Sequence, residues 1–532
     1  MVDGGPSRRD VLRVAALASG AVALGMPSGT GGTAEAAGAK LLLGAIRWDA
    51  WVGGDWAVGS QVNRTLSPKK YEFRLPYYAG ITVPNRVLID EPAQTLLHDE
   101  STTQMVELSR PFTPQSRAVT VEWDWKETVA GRWARAILVS GSSAAVDIAT
   151  RSDASGTQLV YRASDGTWKV LQPVADDTWY SLKVIADPAP PQGATPWVDI
   201  FVDGVRRANH VPLLGAMTSF DRLSLRTNET LTSDLYIRNL SVEVTESVNA
   251  NGAVQSVMDQ EIHYAAAAGI DYWAFVYYPQ APLSAARNLY LSSAYKNDVN
   301  WCAILDGNFT GTFDANLPAL ASQFSTPNYQ KVLGGRPLVY FLSGADADKV
   351  AKLRAKAAEL GVANPYVVVM GWTAQGAADL KTTVGADAVS RYATGSMSGA
   401  PYSDLAAAES GLWDQYATAA GQVIPTVSTG WDKRPRYDYP VSWEPDYTGF
   451  KDTWTQQATP AQIASHLGAA VSWTKAHPAS TAAGTALIYA WNEFDEGGWI
   501  CPTLVEIRDS GAPLRLNAIA GVSRTTARRG RK

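Results

Sequence analysis

Near the C-terminus, the run Leu487-Ile488-Tyr489-Ala490-Trp491-Asn492-Glu493-Phe494-Asp495-Glu496-Gly497-Gly498-Trp499 reads as a buried strand followed by two glutamates three residues apart, set among tryptophans. These residue types suit cleavage of a glycosidic bond. One carboxyl group protonates the leaving oxygen, a second acts as nucleophile or base, and aromatic faces stack on pyranose rings. On one helical turn the two Cβ atoms would lie about 5 to 6 Å apart, near the carboxyl separation of retaining glycosidases. Spacing leaves open whether Asp495 or Glu496 faces the cavity. Acidic residues are also favoured in the first turn of any helix by its dipole, so the elements that position the pair decide its meaning.

Those elements come in two textures. From Val119 to Val244 the chain is a series of short alternating strands, among them Val119 to Trp125, Ala136 to Val139, Gln158 to Tyr161, Tyr180 to Val184, Trp197 to Val202, Leu223 to Leu225 and Leu235 to Val242. Turn signals such as Asp165-Gly166 and Asp203-Gly204 separate them, which predicts an antiparallel β-sandwich; the runs Val198 to Gly204 and Asp234 to Leu240 resemble the laminin-G or concanavalin-like jelly roll. On both sides lie apolar strands: Leu41 to Trp48, Tyr272 to Tyr278, Asn300 to Leu305, Leu338 to Leu342, Tyr366 to Met370, Ala388 to Tyr392, Val423 to Val427 and Ala486 to Trp491. Ala-rich helical stretches alternate with them, including Val254 to Ala268, Ala347 to Leu360, Tyr402 to Ala420 and Thr459 to Ala476. This alternation predicts an α/β fold, a (β/α)8 TIM barrel over residues 37–94 and 251–521, with the sandwich inserted at 95–250 after the first barrel strand. An open doubly wound sheet is the alternative, but no Gly-rich phosphate loop follows the first strand. Residues 522–532 read as a disordered basic tail.

In such a barrel the chemistry gathers just past the strands. The substrate-binding set expected there is Trp48, Asp49 and Trp51 after strand one, Tyr277 and Tyr278 after two, Asp306 and Asn308 after three, Trp372 after five, Tyr392 after six, Trp431, Asp432 and Arg434 after seven, and Asn492 and Trp499 around the catalytic Glu493 and Glu496. Both carboxyls are expected to converge on a water-filled hollow ringed by indoles. Burial beside Trp491, Trp499 and a second carboxylate predicts a raised pKa for Glu496. Arg434 would hold a substrate acid group or steady a carboxylate.

Composition points the same way. Nineteen Trp and 22 Tyr against 11 Phe favour side chains that stack on a polyol while offering a polar edge, so a glycan is the expected partner. A net charge of -5 gives no basic field for nucleic acid. The five histidines show no metal-ligand spacing, and no cofactor or metal is expected. Asp199 and Asp203 could ligate calcium or serve as turn residues. Cys302 and Cys501 are expected to be free structural thiols on different barrel strands. At the N-terminus, Ser7-Arg8-Arg9-Asp10-Val11-Leu12-Arg13, an apolar stretch to Met26 and Ala34-Glu35-Ala36 read as a twin-arginine signal over residues 1–36, hence a secreted or extracytoplasmic protein without a membrane anchor.

The segment Trp491-Asn492-Glu493-Phe494-Asp495-Glu496-Gly497 resembles the Trp-Asn-Glu-x-x-Glu-Gly signature of the glycoside hydrolase family 99-like proteins, which include the endo-α-mannosidases and the WbsX-like proteins. Further resemblance to the WbsX-like branch lies in Ala45 to Trp51, Asn63 to Pro68, Met258 to Ile262, Gly269 to Phe275 and Gly430 to Arg436. The resemblance implies a (β/α)8 glycosidase working without a metal. It also implies that Glu493 deprotonates a sugar 2-hydroxyl and that Glu496 does acid/base work. The sequence departs from the family at Phe494-Asp495, where Trp-His is usual, and at Gly498-Trp499-Ile500-Cys501, where Thr-Gln-Ile-Glu is usual. Asp495 is thus an extra carboxylate. A double displacement with Glu493 or Asp49 as nucleophile is the other mechanistic reading, and a non-catalytic carbohydrate-binding protein or a polysaccharide lyase is the other functional one.

Overall fold

The computed structural model describes residues 40–81, 86–190, 195–244, 248–395, 397–444 and 448–524. The expected signal at 1–36 and the tail residues 525–532 lie outside them. Arg524, expected in the disordered tail, is instead fixed: its guanidinium pairs with Asp271 at 2.5 Å and its carbonyl accepts from Leu41 N.

Eight parallel strands build the barrel: β1 (Leu42–Arg47), β2 (Tyr272–Val276), β3 (Asn300–Leu305), β4 (Arg336–Phe341), β5 (Tyr366–Met370), β6 (Ala388–Ser390), β7 (Thr426–Ser428) and β8 (Thr485–Tyr489). They pair in the order β6-β5-β4-β3-β2-β1-β8-β7. Val389 and Val423 form a parallel bridge that brings the two ends of this order together, so the sheet is nearly closed. Every residue of β2, β5, β6, β7 and β8 is buried, as expected for strands covered inside by the barrel core and outside by helices. Those helices include α1 (Gln255–Ala267), α2 (Ala347–Glu359), α3 (Tyr402–Ala420) and α5 (Pro460–Ala476), while the short α4 (Arg434–Asp438) lies in the loop after β7. Their ends follow local chemistry. Thr459 and Gln462 form a capping box before Pro460 at the first position of α5, and Asp346 caps α2 through Lys349 N.

The hydroxyls of Tyr272 on β2, Tyr340 on β4 and Thr485 on β8 meet inside the barrel at 3.0 Å, one layer drawn from alternate strands. Gly44 on β1 leaves room for the Tyr272 ring.

Between β1 and β2 the chain makes two antiparallel sheets that enclose their own core. One runs, by strand, Trp168–Pro173, Gly156–Arg162, Ser143–Asp153, Arg132–Ser140, Phe220–Arg226, Glu107–Gln115. The other runs Val205–Pro212, Trp197–Val202, Tyr180–Asp187, Val119–Glu127, Ser233–Val244, Arg86–Glu91, with Thr95–Asp99 also on Ser233–Val244. The sandwich therefore starts at Arg86, before the expected residue 95. Asp203 accepts from Ser181 N at 3.0 Å as a turn residue, whereas Asp199 is buried within strand Trp197–Val202 and accepts from His210 N on the neighbouring strand.

Cys302 lies on β3, but Cys501 lies beyond β8 in a loop, where its thiol donates to Glu261 Oε1 at 3.3 Å. Both are free and buried, and burial pushes both thiols upward in pKa.

A Cβ at residue 44 would lie 2.2 Å from the Tyr272 ring. Gly44→Ala should therefore cost about 1–3 kcal/mol of stability through overpacking. The measurement is the thermal unfolding midpoint, and a midpoint equal to the wild type's would contradict this account of the β1–β2 contact.

Candidate active site

Strand β8 ends at Tyr489, and the chain then forms a small hairpin in which Asn492–Glu493 pairs with Gly498–Trp499. Its tip is a single 3-10 turn, Phe494–Glu496, rather than the start of an α-helix. Gly497 closes the turn at φ +84, and a Cβ there would lie 2.5 Å from Asp432 N. The Glu496 carbonyl accepts from that same Asp432 N at 2.6 Å, so the loops after β7 and β8 are stitched together.

Both glutamates are turned inward, with Glu493 3% and Glu496 8% exposed. Tyr392, just past β6, donates its hydroxyl to Glu493 Oε1 at 2.5 Å. The other Glu493 oxygen is buried without a hydrogen-bond partner among the described residues. Glu496 is held on both oxygens. Arg436 Nη1 donates to Oε1 at 2.5 Å, Lys433 Nζ lies 2.9 Å from the same oxygen, and the Tyr489 hydroxyl donates to Oε2 at 2.5 Å. Asp495 is wholly buried and accepts from Arg436 Nε at 2.8 Å. Glu444 completes the cluster, 2.7 Å from both Lys433 and Arg436.

This geometry reverses the expected titration. Burial pushes Glu493 well above the usual carboxylate range, the Glu496 charge adds to the push, and Arg436 opposes it only in part. Burial acts on Glu496 in the same sense, but Lys433, Arg436 and the Tyr489 hydroxyl together hold it down at about 2. The raised pKa expected of Glu496 thus belongs to Glu493.

The expected residues divide into three groups. Trp48, Tyr278, Asp306 and Tyr392 come together with Glu493. Trp48 Nε1 donates to the Tyr278 hydroxyl at 3.2 Å, and the Tyr278 hydroxyl feels the charges of Asp306 and Glu493. Asn308 is exposed and holds Asp306 Oδ2 at 2.8 Å. A second group lies on the other side of the turn. Trp431, Asp432, Arg434 and Trp499 line a cavity of about 70 Å³ with Phe73, Trp454 and Gly497. There Arg434 is spent on a two-point ion pair with Asp432, at 2.9 and 2.8 Å, and lies 3.6 Å over the Trp454 ring. Arg74 holds the same carboxylate.

The third group is support. Trp51 is 2% exposed, donates to the Asn492 carbonyl and packs on Phe494, so it is no stacking platform. Tyr277 is buried between Arg287, Trp301 and Phe309. Asn492 accepts from Trp48 N and reaches Asp49, which is itself paired with Arg47 at 2.9 Å. Arg47 also binds the buried Glu261 at 2.6 Å. Asp49 is therefore a structural anion in the floor. Trp372 stands apart, 65% exposed, with only its carbonyl taken, by Arg391. The expected ring of indoles is not what encloses the carboxyls: Trp491 packs against Trp273 at 5.1 Å, and Trp499 lies under Arg515. Phenols of Tyr392 and Tyr489 stand there instead, with Trp48 and the exposed Trp443 meeting edge to face at 5.8 Å.

Arg436, Lys433, Tyr489, Glu444 and Trp443 went unpicked as site residues. The signal for two of them was present, because Lys433-Arg434-Pro435-Arg436 follows a strand that neighbours β8 in any closed barrel.

No family model matches the chain, and no curated protein matches it. Among solved structures it is similar to the GH99 endo-alpha-mannosidase from Bacteroides thetaiotaomicron at 17% identity, covering 49% of this chain and 72% of that one with a TM-score of 0.34. It is also similar to the alginate lyase Aly36B in complex with alginate tetrasaccharide, at 10% identity, 37% and 95% coverage and a TM-score of 0.22. The endo-beta-1,4-glucuronan lyase from the fungus Trichoderma reesei gives 11% identity, 33% and 94% coverage and a TM-score of 0.22. None of these likenesses carries a role to a residue of this chain.

The opposed titrations have opposite consequences for stability. A folded-state pKa raised above 4.5 means that folding takes up a proton at Glu493 once the pH exceeds that value, so its ionisation costs stability as pH rises. Glu496, depressed from 4.5 to about 2, stabilises above 4.5, and that contribution is lost as pH falls through 2. Near neutral pH, Glu493→Gln should raise the thermal midpoint and Glu496→Gln should lower it, with the Glu493→Gln gain fading below pH 4.5. Calorimetry across pH decides the matter, and shifts of the same sign in both variants would refute the assignment.

Proposed function

We propose that the chain is an exported glycoside hydrolase acting on a polysaccharide or complex glycan, export resting on the Ser7-Arg8-Arg9 segment alone. The observation that carries the catalytic reading is the pair of carboxyls, three residues apart in one buried turn, driven to opposite protonation states. Glycoside cleavage uses such a pair, one member a proton donor and the other an anion.

In this reading Glu493 gives its proton to the glycosidic oxygen as the C1–O bond breaks and the electron pair leaves with that oxygen. Glu496, kept ionised by Lys433 and Arg436, offers its charge to the electron-poor carbon as nucleophile or as stabilising anion. Water then completes the replacement, its proton returning to Glu493. The roles are exchanged relative to those implied by the family 99 resemblance. The cation set around Glu496 is the reason, because a carboxylate held at about 2 is a poor proton donor near neutral pH. Trp48, Tyr278, Tyr392 and Trp443 supply faces and hydroxyls suited to a pyranose.

The test is to incubate the purified protein with a panel of cell-wall and capsular glycans and analyse the products by mass spectrometry. Hydrolysis adds the mass of water, whereas a lyase leaves an unsaturated product that absorbs in the ultraviolet. Glu493→Gln and Glu496→Gln should each reduce turnover by at least about 10²-fold while glycan binding persists. Wild-type turnover in either variant would remove the catalytic assignment.

A further inference from the structure

The helical turn α4 stands between the carboxylate cluster and the inserted sandwich. On one side Arg436 donates to Asp495 and Glu496. From the next three residues the other side faces the sandwich. The Tyr437 hydroxyl donates to the Gly204 carbonyl in the Asp203-Gly204 turn. The Asp438 carbonyl accepts from Lys183 Nζ at 3.3 Å. Tyr439 is buried, its hydroxyl 2.9 Å from Thr120 Oγ1.

The sandwich is built to receive this turn. Strand Trp197–Val202 is buried along its whole length, although a two-layer sandwich covers only one face of a strand. Val198, Ile200 and Val202 fill the sandwich core. The opposite face, Trp197 and Phe201, joins Ile185 and Tyr439 in a separate cluster. The alternation that should expose every second residue is thus cancelled by Tyr439 from the barrel together with Arg64 and His210 over Trp197 and Lys183 over Phe201.

We propose that the inserted sandwich acts as a buttress that fixes Arg436 against Asp495 and Glu496 through Tyr437 and Tyr439 of the same turn, making Tyr439 and Thr120 positioning residues for the site. The proposal deepens the hydrolase reading and rests on it only for its activity readout. The groups facing Arg436 are Asp495, Glu496 and Glu444, with Lys433 from its own loop and the rings of Trp48 and Trp443. Glu496 faces Lys433, Arg436 and Tyr489, and Glu493 faces Tyr392, with Glu496, Arg436 and Asp495 acting through their charges. Arg436 lowers the pKa of both glutamates. Loosening it must therefore raise both and move the whole pH dependence of the site to higher pH.

The experiment compares Tyr439→Phe, Thr120→Val and Thr120→Ser in the intact chain. Two readouts are taken: the pH profile of turnover on a glycan hydrolysed by the wild type, and the pH dependence of the thermal midpoint, which needs no turnover. Tyr439→Phe and Thr120→Val should shift both profiles upward by about half a pH unit, a threefold change in proton affinity. Thr120→Ser keeps the hydroxyl and should keep the wild-type profiles. Lower midpoints with unshifted pH dependence would overturn the buttress and leave a purely structural contact. A raised KM on polymer with an unshifted profile would overturn it in favour of glycan gripping by the sandwich. If the wild type hydrolyses nothing, the hydrolase reading fails and the thermal profiles alone still decide the buttress.

Discussion

Two cations shared among four carboxylates govern this structure. Glu493, Asp495 and Glu496 are buried within one turn, and Glu444 leans in from the next loop, yet among the described residues only Lys433 and Arg436 oppose them as cations at hydrogen-bonding distance. A buried charge without a partner is too costly to keep. The Arg436 fork is divided among Asp495, Glu496 and Glu444, and Lys433 between Glu444 and Glu496, so Glu493 is left with a phenol. The cluster keeps its proton there. Asp495 is thus no bystander: it occupies Arg436 Nε and so helps to set which glutamate has the higher pKa.

The barrel holds this arrangement from below as well as from the side. Direct pairing of β7 with β8 puts the loops that follow them next to each other, closure through Val389 and Val423 sets β6 beside β7, and the Asp432 N to Glu496 carbonyl bond locks the loop spacing. Beneath β7, Glu409 of α3 accepts from Ser428 N at 2.5 Å and from the hydroxyls of Ser428 and Thr394. Burial pushes it up to about 7. Arg47, paired with Asp49 and Glu261, plays the matching part under β1, where Asn492 ties Trp48 to the hairpin that carries Glu493 and Glu496. Ionic groups out of reach of solvent thus fix the ends of three strands, which a loop held by apolar contacts alone would do with less directional precision.

The barrel was legible because its strands are apolar and its helices carry strong ends. Tyr402–Ala420 and Trp197–Val202 fall where the pattern puts them. The strands that escaped the reading are mostly sheet edges: Arg86–Glu91, Glu107–Gln115, Trp168–Pro173 and Val205–Pro212. An edge strand tolerates Pro111 and Pro114, and its polar residues blur the alternation. At the site, residue type located Glu493 and Glu496, but type cannot show which of two carboxyls a cation reaches. That depended on α4 curling Arg436 inward, and α4 is set by contacts with a sandwich far away in sequence. Trp491 and Trp499 misled for a related reason: aromatic residues beside an acid need not share its face, and Trp491 points into packed core while Trp499 turns toward Arg515 and the cavity beside Asp432.

The same saturation of charge bears on what could bind. At the ends of β1, β7 and β8, Arg47, Arg74, Lys433, Arg434 and Arg436 are each engaged by one or more carboxylates. A uronate-cleaving lyase must neutralise the sugar's own carboxylate to acidify the C5 proton, and recruiting any of these five cations would mean abandoning a buried acid, at a cost of several kcal/mol. An uncharged sugar asks for no such exchange. It needs hydroxyl partners and aromatic faces, which Trp48, Tyr278, Tyr392 and Trp443 offer, and a carboxyl that still carries its proton, which the cation shortage leaves on Glu493. On the proposed hydrolase reading, the charge pattern therefore also favours an uncharged residue at the point of cleavage.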